Sequence, residues 1–386
     1  MTEGFLTHEV GSLAKPEWRV KAVAGTKIGA RDIQTAVTWG ERLRINYDPL
    51  IEILDRGLRV EGRLPTEALR QIRDYAALYA IRLQEEAGLD VVYDGEQDRT
   101  EMYEHSIRNS TGFEFKGLIR AFDNKYYNKA SCVDIPAVQR LWHSDEVKRL
   151  QSLTQRRIKV PITGAYTLAT WSYDEYYAKG GGLGTEQGLE QKQKDREEFV
   201  VDLARRLIRP NILSLIEQGV TWIQIDEPAA TTVPSEVSLF VKSFNESVRG
   251  LEGAEFSVHI CFSDYRLLFP YIREMENCAQ YSLEFANKDS KELGSKQGNR
   301  PGYEVLRLFR ENNIPSRIGL GVSDIHSDFI ESPELVRDRI LYAVDILGDS
   351  SLVNPSPDCG LRTRSWEVAF QKISAVANGA RLAALS

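Results

Sequence analysis

The chain has 386 residues, 42% of them hydrophobic, and a formal net charge of −7. That length suits one large domain or two ordinary ones. An acidic balance without a lysine- or arginine-rich block argues against nucleic acid or an anionic membrane as partner, and the lack of a long uncharged apolar run argues against a membrane span.

The N-terminal stretch MTEGFLTHEVGS has neither the basic region nor the apolar region of a secretory signal. Cys132, Cys261, Cys278 and Cys359 are too few and too scattered for a disulfide framework. A cytoplasmic protein with free thiols is expected.

In chain order, FLTHEV (5–10) reads as a first strand and leads into a long helical region ending in TEALRQIRDYAALYAIRLQEEAG. There Leu69, Ile72, Tyr75, Ala76, Tyr79 and Leu83 keep helical spacing, and Gly88 sits at the C-cap. GLDVVYDGE (88–96) and RIKVPITGAY (157–166) are the next two strands. Between them STGFEFKGLIRAFDNKYYNKASCVDI (110–136) reads as a β-hairpin excursion. KGGGLG (179–184) follows no strand and lacks the G-x-G-x-x-G order, so it reads as a flexible loop rather than a phosphate cradle. A long helical stretch then carries Pro210, which should kink or divide it. Four more strands follow at VTWIQIDEP (220–228), AEFSVHICFS (254–263), QYSLEFAN (280–287) and SRIGLGVSD (316–324). SSLVNPSPDCG (350–360) is the eighth, and a final helix, WEVAFQKISAVANGARLAAL, closes the chain. Eight strands alternating with helices predict an α/β fold, a (β/α)8 barrel spanning 1–386 as a single catalytic unit. An open doubly wound sheet is the alternative.

The ionisable residues gather at the strand ends, the face where such barrels build active sites. Gly11-Ser12, Asp94-Gly95-Glu96, Asp226-Glu227, His259 with Cys261, Glu284, Asp324 with His326, and Asp358-Cys359 all fall there. Each has a plain structural reading. Asp226 could cap a helix, Glu96 and Asp94 could belong to a solvated loop, and His326 could be a turn histidine. His259 and Cys261, two apart on one strand, share a face and could be core residues or metal ligands. Cys359 follows two prolines and precedes a glycine, which fixes its backbone, whereas Cys132 and Cys278 read as structural.

Zinc links these positions. It takes four ligands from thiolate, imidazole and carboxylate, and His259, Cys261, Glu284 and Cys359 offer that set. The carboxylate is the member most easily displaced by a soft sulfur ligand, so the site suits a thiol substrate. Only the thiolate of such a substrate is a good nucleophile, and zinc keeps it deprotonated. Alkyl transfer to sulfur is the chemistry implied.

The motifs VGSLAKP, DGEQDRTEMYEH, PITGAYTLATWS, IQIDEPA, VHICFS, YSLEFA, IGLGVSDIHS and NPSPDCGLRTR occur in that order from residue 10 to 364. In this the chain resembles the catalytic barrel of cobalamin-independent methionine synthases. The resemblance implies zinc on His259, Cys261, Glu284 and Cys359. It also implies L-homocysteine with its amino group on Asp226 and Glu96 and its carboxylate at the Gly11-Ser12 turn. Backbone N–H groups suit a carboxylate and carboxylates suit an ammonium. It further implies His326 with Asp324 as a proton relay near the methyl donor, and Trp171 as the aromatic that packs on a folate ring.

Three departures stand out. DGE replaces the expected HGE, and NPSPDCG carries two residues more than NPDCG. The family's N-terminal second barrel, which helps to bind folate, has no counterpart here. A corrinoid (methylcobalamin or a methylated corrinoid protein) is therefore slightly preferred over methyltetrahydrofolate as methyl donor. The alternatives are a zinc methyltransferase for another thiol such as coenzyme M, a decarboxylase-like barrel without zinc, and a non-catalytic zinc-thiolate binding protein.

Overall fold

A computed structural model describes residues 4–59, 63–99, 101–120, 126–178 and 186–386. Runs rich in Val, Ile and aromatic residues form its strands, the residue types that fit a half-buried pleated surface. In chain order they are β1 (Val91–Val92), β2 (Ser110–Arg120), β3 (Tyr126–Val138), β4 (Arg157–Ile158), β5 (Val160–Thr163) and β6 (Tyr173–Asp174). β7 (Trp222–Asp226), β8 (Glu255–Ile260), β9 (Cys278–Leu283), β10 (Arg317–Ser323) and β11 (Val353–Pro357) follow.

β5, β7, β8, β9, β10 and β11 form one continuous parallel sheet in that spatial order. β4 runs on into β5 and pairs with β1. Residues 7–9 close the ring. The Thr7 carbonyl accepts the N–H groups of Asp90 and Val91, each at 3.1 Å, and the His8 N–H reaches the Pro355 carbonyl of β11 at 3.1 Å. Eight strand positions thus return on themselves in the expected (β/α)8 barrel, and the open sheet is excluded. The register sets Asp226 beside His259 and His259 beside Ser282 on neighbouring strands, so their side chains meet at one end of the barrel.

The helix Thr66–Ala87 buries Leu69, Ile72, Ala76, Tyr79 and Leu83 and ends at Gly88 with a φ of 99°, the left-handed cap that glycine tolerates. Pro210 divides its helix as expected. An α-helix over Glu186–Leu203 gives way to a π-helical turn, Ala204–Ile208, before Arg209–Glu217 resumes. Proline has no N–H to give and crowds the carbonyl four residues back, and the wider turn absorbs both defects. β2 and β3 pair antiparallel from Ser110 with Val138 to Arg120 with Tyr126. The predicted hairpin is therefore present and runs two residues beyond 136. Residues 121–125 and the Gly-rich segment 179–184 lie outside the described residues.

The final helix, Trp366–Ala384, lies against the helix Pro333–Leu347 through Gly379. A Cβ there would come within 2.3 Å of Val336 Cγ1 and 2.9 Å of the Pro333 carbonyl oxygen. Helix propensity alone favours alanine by about 1 kcal/mol, but overpacking costs about 1–3 kcal/mol and a backbone oxygen cannot rotate away. Gly379→Ala should therefore lower stability in urea denaturation, and adding Val336→Ala should recover part of the loss. A stabilised Gly379→Ala would show that the two helices separate freely.

Candidate active site and metal centre

The C-terminal ends of the strands enclose a cavity of about 400 Å³. Gly11, Ser12, Glu96, Trp171, Asp226, His259, Cys261, His326 and Cys359 all line it. Asp324 and Glu284 are not on its surface.

His259, Cys261 and Cys359 bring one potential ligand atom each within 4.8 Å of one another. His259 Nε2 lies 3.3 Å from Cys359 Sγ, and Nδ1 lies 3.0 Å from the Ser282 carbonyl. A carbonyl only accepts, so Nδ1 carries the proton that binds it, and Nε2 is turned toward the sulfurs. The hydrogen bond from the Cys261 thiol, with His259 behind it, brings Cys359 down to about 5 against the effect of burial. Burial opposes charge on His259, yet the Cys359 thiolate outweighs it and lifts the imidazole to about 9. Cys261 is driven well up by the same hydrogen bond to Cys359 and by burial.

Glu284 is fully buried beside this group. Its Oε2 accepts the Phe262 N–H at 3.1 Å and the Asn287 side-chain amide at 3.0 Å, while Oε1 has no hydrogen-bond partner. A buried unpartnered acceptor costs about 1–3 kcal/mol, more when charged. Two sulfurs and an imidazole nitrogen are donors of the kind zinc takes, so His259, Cys261 and Cys359 fit that metal, whereas the expected fourth residue, Glu284, lies outside this close group. Phe262 adopts a φ of 51°, a strained value for an aromatic residue, and this turns its N–H to Glu284.

Asp358 holds the two halves of this group together. Its carboxylate accepts the N–H groups of Phe285, Ala286 and Asn287 at 3.0, 2.9 and 2.7 Å, fixing the chain just past Glu284. Cys359 is the next residue. Burial nonetheless pushes Asp358 up to about 8. Gly321 makes the room, since a Cβ there would come within 2.2 Å of Asp358 Oδ1.

Also on the cavity wall, Glu96 and Asp226, the latter beside His259, are both buried, which rules out a solvated loop for Glu96, and Asp226 is a strand residue rather than a helix cap. Burial pushes Asp226 up to about 7, and Gln224 Nε2 donates to its Oδ1 at 2.8 Å. Glu96 Oε1 lies 3.6 Å from the buried Arg99 guanidinium. The Gly11-Ser12 turn is tied down on both sides. The Ser12 carbonyl accepts the Leu361 N–H at 2.7 Å, and the Leu13 N–H reaches the Gly95 carbonyl at 3.1 Å. A Cβ on Gly360 would come within 2.2 Å of Ser12 Oγ, so the residue after Cys359 must be small.

The expected pairing of Asp324 with the His326 ring is not formed. Asp324 Oδ1 accepts the backbone N–H of His326 at 2.8 Å and Oδ2 accepts the Ser327 hydroxyl at 2.9 Å, a local turn that leaves the ring elsewhere. The ring stands edge-on to Phe262 at 4.7 Å, with Nε2 3.6 Å from Glu284 Oε1. That carboxylate raises the His326 pKa.

Several contacts of the site escaped the sequence reading. Tyr126 and Tyr127 of the hairpin line the cavity, and Tyr127 packs on Trp171 at 5.5 Å between ring centroids. Glu227 accepts the N–H groups of Tyr166 and Thr167 at 3.1 and 2.7 Å, so it anchors the start of the helix Ala165–Trp171 that carries Trp171. Arg362, Thr363 and Arg364 lie on the same cavity wall. Cys132 and Cys278 stand apart from the cluster, with thiols directed to the Asp134 and Gln280 carbonyls.

A family model described as the catalytic domain of cobalamin-independent synthase matches residues 57–382. The methionine synthase of Thermoplasma volcanium is 39% identical over 328 residues, covering 82% of this chain and 89% of that one. The methionine synthase of Thermococcus kodakarensis is 34% identical over 326 residues, covering 84% and 87%. A solved B12-independent methionine synthase from Shewanella sp. W3-18-1, in complex with selenomethionine, shares the fold, with a TM-score of 0.72 over 98% of both chains at 22% identity.

These relatives define the class: the chain is a methyltransferase. It belongs to the cobalamin-independent methionine synthase family, whose reaction is methyl transfer to homocysteine. Among the described residues, no helix is long and apolar enough to cross a membrane.

Cys359→Ser should lose most bound metal, whereas Cys278→Ser should keep it. Normal metal content in the first variant would refute the ligand set. In metal-free protein the thiols should also separate by reactivity. With Cys359 near 5 and burial pushing Cys132 and Cys278 up to about 12, iodoacetamide at pH 6 should label Cys359 first. Peptide mass spectrometry reads the order, and equal labelling of all four cysteines would contradict a preformed thiolate.

Proposed function

We propose that this chain is a zinc-dependent methyltransferase. It moves a methyl group from a corrinoid or methyltetrahydrofolate to the sulfur of L-homocysteine, forming methionine. One observation carries the reading: a single cavity joins the cluster of His259, Cys261 and Cys359 to a buried acidic pair, Glu96 and Asp226.

Zinc held by His259, Cys261, Glu284 and Cys359 would keep the substrate sulfur deprotonated at neutral pH. The chain's own residues do the rest. Asp226 and Glu96 take the ammonium. Burial has already lifted Asp226 to about 7, so a cation beside it relieves an unfavourable charge. The Gly11-Ser12 turn takes the carboxylate. Held at both ends, the sulfur is aimed at the methyl carbon, which is the gain of binding before reaction. Trp171, with Tyr127 packed on it, offers a flat face to the ring of the donor.

The new C–S bond forms as the bond from carbon to the donor's nitrogen or cobalt breaks, and the donor atom keeps the electron pair. A nitrogen donor also needs a proton, and His326, with its pKa raised by Glu284, is the group at hand. An ammonium pocket favours homocysteine over coenzyme M, whose sulfonate thiol has no amine to place there.

The test is methionine formation by zinc-loaded protein with homocysteine, supplied with methylcobalamin in one reaction and methyltetrahydrofolate in another. Turnover with either donor supports the reading and names the donor. Silence with both, in protein that binds zinc, would overturn it. Asp226→Asn should raise the homocysteine KM at least about tenfold while zinc stays bound, since a charge-assisted hydrogen bond contributes about 1.5–3 kcal/mol.

A further inference from the structure

Beneath the cavity floor, Lys159 is fully buried inside the barrel, between β4 and β5. Its Nζ donates to Gln224 Oε1 at 2.7 Å and to the Glu9 carbonyl. The other end of the same amide gives away both of its N–H groups. Gln224 Nε2 donates to the Val10 carbonyl at 2.7 Å and to Asp226 Oδ1 at 2.8 Å.

The direction of this amide is fixed by its neighbours. An ammonium can only donate and a main-chain carbonyl can only accept. Oε1 must therefore face Lys159, and Nε2 must face Val10. The second N–H is then committed to Asp226. A flipped amide would set its oxygen against two acceptors and its NH2 against an ammonium, leaving buried groups unpaired at about 1–3 kcal/mol each. Gln224 is fully buried and shielded from water that could stand in for these partners.

We propose that Lys159 is a positioning residue for amino-acid recognition. Acting through Gln224, it holds the Asp226 carboxylate in the orientation that receives the ammonium of the thiol substrate. This rests on the reading of Asp226 as an ammonium site. Lys159 itself touches neither the substrate nor the metal ligands. Its effect is on selectivity: it favours a thiol that bears an α-amino group over a thiol of equal length that lacks one. Without Lys159 the amide still faces Val10 and Asp226 with Nε2, but Oε1 loses the partner that pins its far end, so the amide and the carboxylate it holds lose their fixed position.

The experiment compares homocysteine with 4-mercaptobutyrate, the same thiol chain without the amino group, binding to zinc-loaded protein in a calorimeter. Wild-type protein should prefer homocysteine by at least about tenfold, equivalent to about 1.4 kcal/mol. Lys159→Met should abolish most of that preference by weakening homocysteine, with 4-mercaptobutyrate affinity and zinc content unchanged. Gln224→Met provides a second route should the lysine variant fold poorly, and it should give the same loss. Combining the two should add nothing further, because they break one chain of contacts. Equal weakening of both thiols, or unchanged homocysteine affinity in a folded Gln224→Met, would overturn the proposal. A wild-type protein that binds both thiols equally would instead overturn the ammonium reading of Asp226, on which the proposal stands.

Discussion

The arrangement depends on one buried carboxylate, that of Asp358. Three backbone N–H groups converge on it from the turn after β9, and Cys359 follows it directly at the end of β11. Two strands that are not neighbours in the sheet are thereby fixed at the point where each delivers a polar group, Glu284 from one and Cys359 from the other. Unpaired, those N–H groups would cost about 1–3 kcal/mol each. Neither loop could then hold its side chain within reach of His259. Gly321, lying between them on β10, has no side chain because the carboxylate occupies that space.

Much of the fold is legible in the sequence because it rests on local pattern. The strands are apolar runs with polar residues at their ends, and the long helix keeps its buried residues on one face up to Gly88. The site is legible for a related reason: residues at the ends of parallel strands must share one mouth. Where the reading fell short, the contacts span long separations in sequence. Glu227 meets the start of the Trp171 helix across 61 residues, Asp358 meets Phe285 across 73, and Lys159 meets Gln224 across 65. No spacing rule announces such pairs. Asp324 failed in the opposite way. A carboxylate two residues before a histidine is as able to fold a turn onto its own backbone as to bond the ring, and here the turn wins.

The cavity separates its tasks by chemistry. Sulfur and imidazole, carboxylates, a main-chain turn and aromatic rings all line the one cavity, with the Asp226 carboxylate next to the His259 imidazole. Asp226 and Glu96 are largely screened from solvent, and burial lifts Asp226 to about 7. A cationic group entering there replaces lost hydration rather than competing with it.

The barrel wall is uneven. Strands β7 to β11 are long and continuously paired, and they carry the cluster of His259, Cys261 and Cys359. The wall closes at residues 7–8 with a handful of hydrogen bonds, and the Gly11-Ser12 turn hangs from that seam. The Gly11-Ser12 turn and the His259 cluster therefore rest on parts of the wall with different amounts of strand pairing. A ligand that engages both the turn and the cluster acts as a cross-link over that seam. Its arrival would be registered first as slower hydrogen exchange at Thr7 and His8, neither of which lines the cavity.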